Sequence, residues 1–314
     1  MSASLASPDG VTGARRRLGD RLFAGTTRLA GVVILLSLAG VAAFLTLEGI
    51  PALGASPEDL NGAADLAAYV WPLVYGTLLA AVLALLIAAP LSLGVALMIS
   101  HYAPRRLSRT LGYLVDLLAA VPSVVYGLWG IGFLGPRLVP AYHWLADHVG
   151  WLPFFAGPAS TTGRTILTAG IVLAVMVLPI ITAITREVFA QTPLLQQEAA
   201  LALGATRWEM IRLAVFPHGR SGIVSAMMLG LGRALGETMA VAMVLSATGV
   251  VTVDLVGSAN PSTIAANIAL QFPESTGLAV NALIASGLVL FLITFAVNVA
   301  ARAVVARGGK GLTR

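Results

Sequence analysis

Apolar residues along this chain gather into six long runs separated by short polar segments. Each run is close to the roughly 20 residues that a helix needs to cross a bilayer. The runs lie at about 29–47, 71–100, 110–134, 165–185, 221–247 and 278–301 and predict six membrane-spanning helices. The second is long enough to tilt or to break at Pro90, and the third is expected to kink at Pro122. Of the polar segments, residues 186–220 carry start and stop signals for two short helices. Thr192 and Pro193 suit the start of the first, and Gly204 suits a left-handed stop. Thr206 and Glu209 have the spacing of a capping box at the start of the second, and Pro217 predicts its end. Further on, Ile264, Ile268 and Phe272 recur at helical spacing and predict a short amphipathic helix.

Composition agrees with the pattern. With 58% hydrophobic and 11% charged residues, a chain of 314 residues is too apolar for soluble domains, and an all-α membrane protein is expected. The first run could be read as a signal-peptide core, but at 19 residues it exceeds the usual length of about 7–15, so an uncleaved anchor is expected. With no cysteine and four scattered histidines, no metal site is predicted. The expected organisation is a tail over 1–28, an anchor helix over 29–47, a five-helix core over 71–301 containing the 186–220 loop, and a second tail over 302–314. The Ser, Gly, Pro and Arg content of residues 1–19 reads as disordered.

The charges set an orientation. Five arginines precede the first run, three follow the second, four lie between the fourth and fifth, and four Lys or Arg follow the sixth. Only Arg137 and Arg164 fall in the alternate loops. Because Lys and Arg in short loops resist translocation, both termini are expected in the cytoplasm. The basic excess thus belongs beside lipid rather than nucleic acid. The aromatic residues Tyr142, Trp144, Trp151, Phe154 and Phe155 between the third and fourth runs fit interfacial anchoring at the opposite surface.

Three ionisable residues fall within the predicted spans: Asp116, Arg233 and Glu237. Such groups cost at least about 2.5–3.5 kcal/mol on insertion scales and are functional candidates. Arg233 and Glu237 are four apart and share a helix face, where they could neutralise each other, with Asp116 completing the set. Alternatively, Arg233 offers positive charge to an anion on a substrate pathway and Glu237 limits how tightly it is held. Gly230, Gly232 and Gly236 would let neighbouring helices approach this region.

In the 186–220 loop, Leu194, Leu201 and the alanines beside Glu198 give a smooth surface, and Trp208, Ile211 and Val215 form an apolar stripe. The stripe could pack on the chain's own bundle or receive another protein. The order Glu198-Ala199-Ala200, Gly204, Pro217 resembles the loop of bacterial ABC importer permeases, with Ala214-Val215-Phe216-Pro217 in place of a usual Ile-x-Leu-Pro. The resemblance implies docking of Glu198, Ala199, Ala200, Gly204, Thr206, Arg207 and Trp208 onto a separate ATPase. It also implies a type I importer fold in which the loop forms a cytoplasmic coupling-helix hairpin.

The stretch Gly232-Arg233-Ala234-Leu235-Gly236-Glu237-Thr238-Met239-Ala240-Val241 resembles the phosphate permeases of the PstC type more than their PstA-type partners, which continue Ala-Pro after the threonine. Leu114-Val115-Asp116 and Ala120-Val121-Pro122-Ser123-Val124-Val125-Tyr126-Gly127-Leu128 agree. That resemblance implies a PstA-like second permease, a PstB-like ATPase dimer binding ATP and Mg, and a PstS-like extracytoplasmic phosphate-binding protein.

The chain itself lacks a phosphate-binding loop: its one lysine, Lys310, is followed by Gly311. It is therefore expected to hold no cofactor and to have no ATPase activity of its own. A PstA-type permease, a permease for sulfate or molybdate, and a secondary transporter or channel are the alternatives. Gly219-Arg220-Ser221-Gly222 resembles an intramembrane serine protease motif, but all four histidines lie at or beyond span ends, away from any general-base position.

Overall fold

The computed structural model describes residues 18–309, so the expected tail before residue 18 and Lys310 lie outside it. Among the described residues the chain is helical, with two isolated backbone bridges and no strand. Helix α1 (Leu18–Gly49) is apolar through its middle, between Arg28 and Glu48. No residue in its most apolar window is buried, which suits a helix solvated by lipid. Gly49 at its end lies against the backbone of Ala285, where a Cβ would come within 3.2 Å of Cα.

Helix α2 (Leu66–Leu97) begins where Asp65 Oδ1 accepts the Ala68 N–H at 2.7 Å. It passes Pro72 and Pro90 without breaking and ends in a π-helical turn, Met98–Tyr102. Next come α3 (Arg105–Ala119), α4 (Ser123–Trp129), a π-helical turn at Gly130–Leu134, and α5 (Gly135–Val149). The predicted third span is therefore displaced. Pro122 disfavours helical geometry at Val121 and lacks an N–H, so the chain breaks rather than kinks. The Tyr126 hydroxyl donates to the Leu118 carbonyl across that break at 2.9 Å, beside the Val121 N–H. The crossing segment runs over Ser123–Val149, and amphipathic α3 stands apart from it.

Helix α6 (Ile166–Ala190) is the central element, capped by Thr165, whose hydroxyl accepts the Thr168 N–H at 3.1 Å. The small Ala80, Ala84 and Ala88 of α2 let it approach Val172, Leu173, Val177 and Ile181 of α6 in the main core. Tyr142 of α5 joins this interior instead of anchoring at a surface: it is 1% exposed and shares a 2.6 Å hydrogen bond with Thr168 Oγ1. Trp144, Trp151 and Phe154 are exposed.

The loop helices follow, α7 (Leu194–Ala202) and α8 (Arg207–Met210), then a π-helical turn Ile211–Val215 and α9 (Phe216–Leu235). Pro217 does not end the second loop helix. The wider turn before it accommodates the missing N–H, and the helix continues into the fifth crossing. That crossing is itself divided, because α9 stops at Gly236 and α10 (Met239–Val244) begins beyond Thr238. Among the described residues five helices are thus long and apolar enough to cross a membrane, and the α9–α10 pair supplies the remaining predicted segment in two pieces.

Beyond α10 the chain is irregular as far as α11 (Ile264–Gln271), yet much of it is buried, as backbone without regular structure must be inside a membrane protein. Asn260, fully buried, holds it. Its Oδ1 accepts the Ile166 N–H at 2.9 Å, and its Nδ2 faces the carbonyls of Arg164, Ser246 and Gly257 at 3.2–3.3 Å. The Ile264 and Ile268 spacing does form a helix, with Ile264 buried and Phe272 exposed at its end. Helix α12 (Leu278–Gly309) closes the bundle and runs through most of the expected terminal tail.

Candidate functional site

The break between α9 and α10 falls on the predicted charged residues. Gly232 and Gly236 weaken the helix end, and Thr238 adopts φ −110° and ψ −64°. Glu237 then turns inward: it is 6% exposed, and its Oε1 accepts the Ala240 N–H of α10 at 3.1 Å. A carboxylate at the start of a helix satisfies a free N–H and is favoured by the local dipole. Arg233, in the last turn of α9, points the other way and is exposed.

Of the two alternatives for Arg233 and Glu237, the mutual ion pair is not formed, since four-residue spacing aligns side chains only along an unbroken helix. Among the described residues the one ion pair is Arg186–Asp116, 3.4 Å between Arg186 Nη2 and Asp116 Oδ2. Asp116 lies on α3 rather than within a span, half exposed, and takes no part in the Arg233 region. The Arg186 guanidinium lies over Gly112, where a larger side chain would displace it.

Arg233 lines a cleft of about 720 Å³ between α6, α9 and α12. Its walls are mainly apolar, with Ile180, Met228 and Leu229 on one side, while α12 contributes Asn298 and Arg302. Gly232 also faces this opening and has no neighbouring atom within reach of a Cβ. Of the glycines expected to bring helices together, Gly230 does so: a Cβ there would lie 2.7 Å from Ile181 Cδ1. Gly236 meets only its own helix, and close α6–α9 contact instead includes Gly222, packed on Val188. Sequence reasoning counted Arg302 only among orienting charges and did not single out Asn298; their i, i+4 spacing across the end of the last run was the available signal.

At the basic end of the bundle, the 186–220 loop presents a different surface. The predicted capping box is present: Thr206 N–H and Oγ1 donate to Glu209 Oε2 at 2.7 and 2.8 Å, and Glu209 N–H donates to Thr206 Oγ1 at 3.3 Å. These hydrogen bonds, the backbone one first, hold the Glu209 carboxyl below its ordinary range. Gly204, at φ +85°, ends α7 as expected, with its N–H donating to Leu201 O and that of Ala205 to Ala200 O. At the other end of α7 the cap is Pro193 rather than Thr192, whose hydroxyl is buried without a partner.

Ile211 and Val215 of the predicted stripe are buried against Ala96, Leu97 and Phe189, so this part packs on the chain's own bundle. Trp208 stays 54% exposed, edge-on to Phe216. Helix α7 buries no residue fully: Glu198 and Ala199 are exposed and Ala200 is partly buried. Gly204, Thr206 and Arg207 are exposed as well, and Leu195 and Leu203 are 80% and 90% exposed. Together these side chains leave an exposed, partly apolar patch on a capped hairpin.

The model of the family "Binding-protein-dependent transport system inner membrane component" matches residues 88–308. The chain is 48% identical over 306 residues to the phosphate transport system permease protein PstC 2 of Mycobacterium tuberculosis, covering 94% of this chain and 93% of that protein. It is 38% identical over 303 residues to PstC of Mesorhizobium japonicum, covering 92% and 90%.

Among solved structures, the fold is similar to a chain in inward-facing conformations of the MetNI methionine ABC transporter. The TM-score is 0.51 at 19% identity, covering 76% of this chain and 94% of that one. It is also similar to a chain of a bacterial ABC transporter involved in import of the acidic polysaccharide alginate. There the TM-score is 0.52 at 17% identity, with 91% and 99% covered. The chain belongs to the family of inner membrane components of binding-protein-dependent transport systems and, within it, to the PstC permeases.

Proposed function

We propose that this chain is a permease subunit of an ATP-driven importer of inorganic phosphate, and that Arg233 acts on the anion during its passage. The observation that carries the reading is the placement of Arg233. It lies thirteen residues beyond Arg220 on continuous α9, roughly 20 Å along the helix, and faces a cleft without an acidic partner. A guanidinium offers a planar fork of donors that fits phosphate oxygens. With Glu237 occupied as a helix cap, the charge of Arg233 is available to a substrate anion. The PstC relatives support phosphate as that anion.

The chain works with a PstA-like permease across the pathway, a PstB-like ATPase dimer that binds ATP and Mg beneath the α7–α8 hairpin, and a PstS-like phosphate-binding protein at the opposite surface. It contributes no ATPase site of its own. Glu198, Ala199, Ala200, Gly204, Thr206, Arg207 and Trp208 form the docking surface for the ATPase. The distribution of Lys and Arg supports a bacterial plasma membrane orientation with both termini cytoplasmic.

The test is phosphate uptake by the complete transporter in proteoliposomes. Arg233→Gln is expected to reduce uptake to background with the complex assembled at its normal level, and Arg233→Lys to retain part of it. Wild-type uptake in Arg233→Gln would overturn the assignment, and competition by sulfate would show a different oxyanion to be the substrate.

A further inference from the structure

We propose that the α6–α9–α12 cleft is a binding site for a phosphate group, held between Arg233 and Arg302 with Asn298 beside them. Arg233 enters from α9, and Arg302 and Asn298 enter from α12 one turn apart on the same face. The remaining walls are mainly apolar, and no acidic side chain lines the cleft. Neither arginine takes part in the ion pair found among the described residues. Two arginines on the walls of one cleft without an acidic lining residue give it a positive charge that attracts an anion. Each guanidinium offers a planar fork of donors suited to phosphate oxygens, and the Asn298 amide adds a neutral donor. At about 720 Å³ the cleft also has room for waters around such a group. A basic residue near a membrane surface commonly serves orientation alone, but that role does not require Arg302 to share a cleft with Arg233.

The proposal rests on the reading of Arg233 as a passage residue and adds Arg302 as the next station toward the basic end. The same chemistry would accept the headgroup of an anionic lipid, and the experiment separates the two sources. The chain has no cysteine, so Ala301→Cys, in the cleft wall, supplies a unique thiol on this subunit. In the assembled transporter in phosphatidylcholine nanodiscs, inorganic phosphate is expected to slow maleimide labelling of that thiol. Arg302→Gln should raise the phosphate concentration for half-protection about tenfold, as expected for loss of one charge-assisted hydrogen bond. Arg302→Lys should restore part of the protection. Protection by phosphatidylglycerol in place of free phosphate would identify a lipid headgroup as the occupant and remove Arg302 from the passage. Protection by neither, in a complex that still takes up phosphate, overturns the site alone. Protection by phosphate in a complex that takes up none would instead overturn the importer reading.

Discussion

Gly204, Thr206, Glu209 and Asn260 each fix a short stretch of backbone, by different means. At Gly204 a Cβ would meet no atom, so substitution acts through the left-handed backbone alone. Gly204→Val should cost about 1–3 kcal/mol locally, and Gly204→Asn less, read as faster hydrogen exchange in residues 200–210. Glu209 makes the hairpin sensitive to acid. Its pKa is lowered in the folded loop, so its stabilising contribution is complete above the ordinary value of 4.5 and is lost as pH falls through the lowered one. Hydrogen exchange corrected for its intrinsic pH dependence should show the loop loosening in acid, and Glu209→Gln should abolish that transition. Asn260→Ala would strand the Ile166 N–H at the start of α6 and should lower stability by about 1–3 kcal/mol, measured as a reduced thermal midpoint in detergent. The capping box was legible in the sequence because Thr206 and Glu209 are three residues apart. Asn260 was not, because the amide and carbonyl that define its role include those of Ile166 and Arg164, distant along the chain.

At the scale of elements, hydropathy located the crossings but did not resolve their breaks. Averaging over 110–134 joined the last part of α3 to α4 and made the break at Pro122 read as a kink, although Arg105, Arg106, Arg109 and Asp116 already gave α3 an amphipathic pattern. Averaging over 221–247 similarly hid Gly236–Thr238, where low helix propensity meets a carboxylate able to start a new helix. The same glycine-rich stretch contains two different design constraints. Gly230→Leu should force α9 away from Ile181 and destabilise the subunit by about 1–3 kcal/mol or more, visible as a lower melting temperature or reduced assembly. Gly232→Ala meets no neighbour and should keep or raise the melting temperature, by up to about 1 kcal/mol of helix propensity, while narrowing the cleft and slowing uptake.

Across the whole molecule, the two candidate surfaces lie on one continuous path. The α7–α8 hairpin is fastened to the bundle by Met210, Ile211 and Val215, yet leaves Glu198 and Trp208 outside. Glu198→Arg should therefore leave the helices folded and inserted while reducing phosphate uptake and binding-protein-stimulated ATP hydrolysis together. Normal values for both in that variant would argue against ATPase docking at α7. From Arg207 to Leu235 the helix has no interruption beyond its π-helical turn, a length of roughly 40 Å. Its geometry is that of a rod whose joint lies just past Arg233. A stroke applied at the hairpin would displace Arg233, while Glu237, on the other side of the joint, stays with α10. Travel along the rod would thus change the distance between Arg233 and the capping Glu237 side chain, and with it the electric field in the cleft that Arg233 lines.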